Sequence, residues 1–284
     1  MQIIHHVKEL RSLLADVRRS GQRIAVVPTM GNLHSGHIKL VTAALTRADF
    51  VVSTIFVNPM QFGQNEDLDS YPRTPDADIE KLQTAGCHCL FAPPVSDIYP
   101  NGLAQHTTVQ VPGISERHCG ASRPGHFDGV ATVVSKLFNI VAPDIAVFGL
   151  KDYQQFQVIR KVTADLCFDI DIVGVATERD ADGLALSSRN GYLSSTEKQT
   201  ALSLNQTLTL TAQRISQGEH NYRTLEQEAA QTLLANGIQP DYFNICQADT
   251  LAPATAADKR LVILAAGFVG KTRLIDNIEV TLTA

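Results

Sequence analysis

This chain of 284 residues lacks disulfide-style cysteine spacing and any long apolar run, and each lack removes a class of protein. Its five cysteines stand at 87, 89, 119, 167 and 246, an odd set with no Cys-x-x-Cys pair, so neither a disulfide framework nor a structural zinc site is expected. Cys87-His88-Cys89 alternates as on a strand, where successive side chains point to opposite faces and cannot share one ion; a buried strand edge is the expected role. No apolar stretch approaches the ~20 residues that span a bilayer. No charged segment leading into an apolar run opens the sequence, so a cytoplasmic location is expected. Strong basicity is also missing: the net charge of -5 excludes a general binder of nucleic acid or membrane surfaces, while leaving room for a local cationic pocket. Hydrophobic residues at 44% against charged residues at 19% fit a globular protein with a sizeable core.

What is present alternates short β-branched runs with helical patterns, the signature of a mostly parallel sheet covered by helices. The pattern predicts a helix over Val7 to Arg19, a strand over Ile24 to Pro28, and a helix carrying Ile38, Val41, Ala44 and Leu45 on one face. Phe50 to Val57 follows as a strand with no polar alternation, as expected when both faces are covered. Residues 58 to 75 read as a loop, Asp76 to Ala85 as a helix, Cys89 to Ala92 as a short strand, and Thr107 to Val111 as a further short strand within an irregular stretch. Val130, Val133, Val134, Leu137, Phe138 and Val141 keep helical spacing up to Pro143. Ile145 to Phe148 and Ile170 to Val175 are strands flanking a helix that contains Phe156, Ile159 and Val162. The charged stretch Glu178 to Gly183 reads as a hinge, which places a boundary near Thr177 and divides the chain into 1-176 and 177-284. The second part reads as a small α+β unit, with helices near Ser195 to Gln217 and Tyr222 to Asn236 and strands near Tyr242 to Cys246 and Arg260 to Ala266.

The segment Val26-Val27-Pro28-Thr29-Met30-Gly31-Asn32-Leu33-His34-Ser35-Gly36-His37 carries the most chemistry. A buried strand ends in a small-residue turn, Gly31 permits a backbone conformation closed to other residues, and Ser35 or Asn32 can cap the next helix. Unpaired N–H groups and the positive end of the helix dipole favour an anionic phosphate there, with His34 and His37 as side-chain donors. An arbitrary His pair more often packs quietly; the strand before this one and the turn around it favour a nucleotide site. Neither G-x-x-x-x-G-K-[ST] nor G-x-G-x-x-G is present. Lys151, at the end of a buried strand, can neutralise phosphate charge. Asp152 can cap its helix, with Gln155 as partner, or contact a ligand. Leu186-Ser187-Ser188-Arg189-Asn190 brings two hydroxyls and a guanidinium just after the hinge, suited to a pentavalent phosphorus centre and a pyrophosphate leaving group.

His34-Ser35-Gly36-His37 resembles the H-x-G-H signature of the nucleotidyltransferase superfamily. Together with Phe56-Val57-Asn58-Pro59-Met60-Gln61-Phe62, Tyr71-Pro72-Arg73-Thr74, Ser122-Arg123-Pro124-Gly125-His126-Phe127, Gly149-Leu150-Lys151-Asp152, Leu186 to Asn190 and Arg273 to Asn277, it is similar to the pantothenate synthetase family over essentially the whole chain. The resemblance implies an α/β fold: a Rossmann-like parallel-sheet nucleotidyltransferase domain followed by a smaller C-terminal α+β domain. It implies a reaction in which ATP, with Mg²⁺, activates pantoate as pantoyl adenylate before the β-alanine amine attacks, releasing AMP and pyrophosphate. It also implies homodimerisation.

Carried over by motif, Met30, Gly31, Asn32, Leu33, His34, Ser35, Gly36 and His37 would bind ATP, with His37 as proton donor. Gly149, Leu150, Lys151, Asp152 and position 178 would line the nucleotide, and Leu186, Ser187, Ser188 and Arg189 would close over it. Gln61 and Gln155 would hold pantoate. The chain departs from the family in Glu178, where an apolar residue is expected, and in Leu150, where Glu is frequent. The metal ligands stay open. Two rival readings are another H-x-G-H nucleotidyltransferase acting on a different acid, and a nucleotide sensor that turns nothing over.

Overall fold

The computed structural model describes residues 1–63 and 66–282, so two residues of the expected 58–75 loop lie outside the described residues. The chain runs β1 (Gln2–Ile4), α1 (Val7–Arg19), β2 (Ile24–Thr29), α2 (Ser35–Leu45), β3 (Phe50–Ile55), α3 (Pro75–Thr84), β4 (Cys89–Phe91), α4 (Val95–Ile98), α5 (Cys119–Ser122) and α6 (His126–Val141). It continues through β5 (Ile145–Gly149), α7 (Tyr153–Asp165), β6 (Asp171–Val175), α8 (Ser195–Ser216), α9 (Tyr222–Ala235), β7 (Gln239–Gln247), β8 (Arg260–Val269) and β9 (Thr272–Thr281).

The first six strands form a parallel sheet in the order β1-β4-β3-β2-β5-β6. Its two faces are read from alternate residues. Ile24, Val26, Val52, Cys89, Phe91, Ala146 and Phe148 pack with α1, α6 and α7, while Ala25, Val27, Val51, Leu90, Ile145 and Val147 pack with α2 and α3. Cys87 joins the second cluster and Cys89 the first, which separates the two thiols across the sheet. From β2 the chain builds outward through β3 and β4 on one side, and through β5 and β6 on the other. The crevice at the carboxyl ends of β2 and β5 is therefore the switch point where ligands collect in such sheets.

The last three strands form an antiparallel sheet, β7-β8-β9. Its central strand is covered on both faces, which is why β8 is apolar without alternation. Leu261, Ile263 and Ala265 pack with Leu204 and Leu208 of α8 and Leu225 and Leu233 of α9, while Val262 and Leu264 join the core under the parallel sheet. Polar bonds reinforce that seam: Asn277 Nδ2 donates to the carbonyls of Leu150 (2.9 Å) and Lys151 (2.8 Å), and Gln157 Nε2 to that of Ala248 (3.1 Å).

The structure corrects four local expectations. β1 and β9 are strands not anticipated from the pattern. Thr107 to Val111 forms no strand; Val109 N–H instead bonds the Thr132 hydroxyl of α6 at 2.9 Å. Glu178 to Gly183 is not an open hinge: Arg179 bridges Ala185, Gly183 N–H closes a turn on the Asp180 carbonyl, and the Arg179 guanidinium grips buried Asp276 of β9 at 2.6 and 2.8 Å. Neither Ser35 nor Asn32 caps α2. His34 holds the cap position, Ser35 is the first helical residue and is exposed, and Asn32 lies two residues earlier in the left-handed region.

Candidate active site

β2 delivers the chain to the switch point and Gly31 turns it there. Its φ of +84° is strained for any residue with a Cβ, which would also meet Ile55 at 3.1 Å and Asp78 at 3.2 Å. The buried Asp78 carboxylate of α3 then fixes the turn, accepting the N–H groups of Asn32 (2.8 Å) and Leu33 (2.8 Å) and the Thr74 hydroxyl (3.1 Å). Leu33 is buried in the α2–α3 core, and Lys81 Nζ donates to its carbonyl at 2.7 Å.

At the start of α2 the two histidines stack with ring centroids 4.0 Å apart. The His34 backbone N–H donates to His37 Nδ1 at 3.2 Å, satisfying one of the orphan donors of the helix start. A backbone N–H cannot accept, so Nδ1 of His37 is the acceptor nitrogen and the neutral ring carries its proton on Nε2. Burial, and the neighbouring His34, push the His37 imidazole down to about 3, while burial and Lys151 push His34 down to about 4. Both rings are therefore neutral near pH 7. His34 Nδ1 is buried without a partner. Gly36 is required for space: a Cβ there would lie 2.9 Å from the His34 ring.

Beneath these rings lies a cavity of about 230 Å³. One wall is apolar, built by Val133, Val134 and Leu137 of α6 with Leu40, Phe56 and Phe148. The other is polar and gathers Met30, His34, Gly36, His37, Gln61, Gly149, Lys151, Asp152, Gln155, Glu178, Leu186, Ser187, Ser188 and Arg189. Five of the expected site residues do not line it: Gly31, Asn32, Leu33, Ser35 and Leu150. Gly31 to Leu33 shape the turn, and Leu150 packs against the core while its carbonyl accepts from Asn277.

The other expected residues are held in different ways. Gln61 is buried, its Oε1 accepting from Asn58 Nδ2 (3.2 Å) and its Nε2 reaching Met30 Sδ (3.1 Å). Lys151 is mostly buried, with Asp152 Oδ1 3.8 Å from its Nζ. Asp152 stands at the N-cap position of α7 but makes no cap bond, so its carboxylate is left to the cavity. Glu178 pairs with Lys39 at 2.6 Å, and its backbone carbonyl accepts the Leu186 N–H at 2.9 Å, which anchors the start of the 186–190 segment. Ser187 Oγ accepts from the Arg189 N–H at 3.2 Å, and Ser188 Oγ donates to the Asn32 carbonyl at 3.2 Å, tying that segment to the H-x-G-H turn.

Three residues without an assigned role in the sequence reading also line the cavity: Asn58, Arg123 and His126. His126 Nδ1 donates to the Gln61 carbonyl (2.8 Å) and Nε2 accepts from Arg123 Nη1 (3.0 Å), an arrangement that needs a neutral ring. Burial and Arg123 accordingly push it down to about 4. Arg123 also grips Glu66 through two bonds of 2.6 Å. Their signal in the sequence was the two strings that contain them, Phe56 to Phe62 and Ser122 to Phe127.

A family model for pantoate-beta-alanine ligase matches residues 2–279. The pantothenate synthetase of Pseudomonas fluorescens is 58% identical over 282 residues, covering 99% of both chains. The solved pantothenate synthetase of Thermus thermophilus shares 43% identity at a TM-score of 0.92, covering 99% of this chain and 100% of that one. A pantoate-beta-alanine ligase from Francisella tularensis, solved with a β,γ-ATP compound and β-alanine, shares 33% identity at a TM-score of 0.82, covering 98% and 97%. Full-length agreement in sequence and fold, with the H-x-G-H turn at the switch point, establishes that this chain belongs to the pantoate–β-alanine ligase family.

Proposed function

We propose that this cavity carries out both halves of the ligase reaction, with ATP bound by Met30, His34, Gly36, His37, Gly149, Lys151, Asp152, Glu178 and Leu186 to Arg189, and pantoate between Gln61 and Gln155. The observation that carries the assignment is the His34 N–H to His37 Nδ1 bond, because it leaves the proton of the neutral ring on Nε2 at a helix N-terminus in the cavity that Lys151 and Arg189 also line. The apolar wall of α6 suits the branched carbon skeleton of pantoate, and the two amides can each donate and accept to its hydroxyls and carboxylate.

In the first half, a pantoate carboxylate oxygen attacks the α-phosphorus while the bond to the bridging oxygen of the β-phosphate breaks. Negative charge moves onto the departing pyrophosphate, where His37 Nε2–H, Lys151 and Arg189 stabilise it. In the second half, the β-alanine amine attacks the acyl carbon of the mixed anhydride, AMP leaves with the bonding pair, and the amine proton is lost to solvent. The Asp152 carboxylate, free of any cap bond, is the side chain that would hold a Mg²⁺ brought in with ATP. Bound there, the ion would screen charge along the polyphosphate.

Residues 1-176 and 177-284 act in this reading as two units, with the 186–189 segment closing from the second. The chain is read as a cytoplasmic homodimer. No helix among the described residues is long and apolar enough to cross a membrane. The full-length match to ligases supports turnover over both rival readings, the related nucleotidyltransferase and the silent nucleotide sensor. Product analysis tests this directly: mixing ATP, pantoate and β-alanine should yield AMP and pantothenate in equal amounts, and no AMP with all three present would reinstate the sensor.

A further inference from the structure

Arg189 reaches the cavity from a short 3₁₀ segment, Ser188–Tyr192, and a guanidinium on so long a stem has many rotamers. It is not left to choose among them. Arg189 Nη2 donates to Asp67 Oδ1 at 2.8 Å, with the two side chains only 30% and 22% exposed. Its planar group sits over the Tyr71 ring, 5.8 Å from the centroid. The Tyr192 hydroxyl bonds the other oxygen of Asp67 at 3.4 Å. Asp67 is itself on a braced loop: the Arg73 guanidinium donates to the carbonyls of Leu68 (3.2 Å), Asp69 (3.3 Å) and Tyr71 (3.3 Å).

The direction of approach matters. A second, larger cavity of about 1150 Å³ adjoins the first and shares Arg123, Lys151, Asp152, Ser187 and Arg189 with it, while His34 and His37 line the first alone. Asp67 lines this second cavity and not the first. It therefore holds Arg189 from the second cavity through one nitrogen, and among the described residues Nη1 and Nε have no protein acceptor.

We infer that Asp67 is a positioning residue for the adenylation half-reaction, holding the Arg189 guanidinium by Nη2 and by stacking on Tyr71 so that Nη1 and Nε remain for phosphate oxygens. This rests on the role given to Arg189 above. The pair contributes little to stability, as partly exposed pairs do. Its contribution is orientation: the entropy of ordering Arg189 is met before ATP arrives, and the carboxylate raises no competition for the two remaining N–H faces. In the second half the charge develops on the phosphate of the departing AMP and not on pyrophosphate oxygens, so Asp67 is expected to act on the first half alone.

The test separates the halves. In pantoate-dependent exchange of pyrophosphate into ATP, Asp67→Asn should lower kcat about tenfold, less than the ~100-fold that a 1 Å misplacement can cost because the Tyr71 contact remains, with KM for pantoate unchanged. Enzyme-bound adenylate, formed beforehand with ATP and pantoate, should release pantothenate on β-alanine addition at the wild-type rate, which also reports an intact fold. Asp67→Glu, which keeps the carboxylate, should recover most of the exchange, and Asp67→Asn should add nothing in an Arg189→Ala background. Wild-type exchange in Asp67→Asn, equal losses in both halves, or additive losses with Arg189→Ala would overturn the inference. Absence of exchange in the wild type, or full exchange in Arg189→Ala, would instead strike the underlying assignment of the site.

Discussion

Two segments of the cavity wall are built on opposite principles. The Gly31–His37 turn is continuous with a central strand and a helix, pinned by one buried carboxylate, and its two imidazoles are fixed by a backbone hydrogen bond and a glycine-sized gap. The Leu186–Arg189 segment has no buried residue in its 3₁₀ turn and is held by single polar contacts, to the Glu178 backbone, the Asn32 carbonyl and Asp67. The first is rigid because removing any part leaves a buried group unpaired or a cavity filled. The second can part from its partners at modest cost, since each bond exchanges for one to water. A site that must bind a large anion, seal it and then release pyrophosphate needs both kinds of wall.

Breaking the rigid half at its donor should have the largest effect. His37→Ala or Lys151→Ala should lower pantoate-dependent exchange of pyrophosphate into ATP by about a hundredfold or more, the scale of a lost transition-state donor. Unchanged exchange would remove both from the mechanism. The contrast in rigidity can be sharpened by a paired stability measurement. Asp78→Asn replaces a carboxylate that accepts three donors with an amide that turns its NH₂ toward one of them, so denaturant titration should show a loss of about 3 kcal/mol. Ser188→Ala removes one part-buried bond, and its loss should stay within about 1 kcal/mol. Similar losses from the two would erase the distinction.

Much of this architecture could be read from the chain, and the reasons are local. α1 has the expected bounds, Val7 to Arg19, because its apolar residues repeat at helical spacing up to a glycine. The strands of the parallel sheet stood out because covering both faces removes polar alternation. β9 stayed hidden because Arg273, Asp276 and Asn277 interrupt its apolar pattern; they bind Asp241 of β7, Arg179 and, across the seam, the Leu150 and Lys151 carbonyls. β1 is three residues long, and of those only Ile4 is buried. Thr107 to Val111 has the β-branched composition of a strand but lies against α6 with no neighbouring strand.

The site divides in the same way. The histidines, Lys151 and Arg189 sit in short strings whose chemistry is visible one at a time. Asn58 and Arg123 each bond a residue three positions away, Gln61 and His126, and the two pairs meet where His126 Nδ1 donates to the Gln61 carbonyl, 65 positions away, so the constellation exists only after folding. The Asp67–Arg189 pair, separated by 122 positions, belongs to that group.

The central claim is that the turn presents a neutral His37 with its proton on Nε2. Burial lowers both imidazoles below the ordinary 6.5, so their neutral state contributes stability above that pH, and the contribution is lost as pH falls toward about 4 for His34 and about 3 for His37. Nitrogen-15 spectra of the histidine-labelled protein, assigned through His37→Gln, observe this without any assay. The account predicts a His37 ring with a protonated Nε2 and an acceptor Nδ1 at pH 7, unchanged on titration to pH 5. A ring protonated on Nδ1, or one that gains a proton with a midpoint near 6.5, would contradict it.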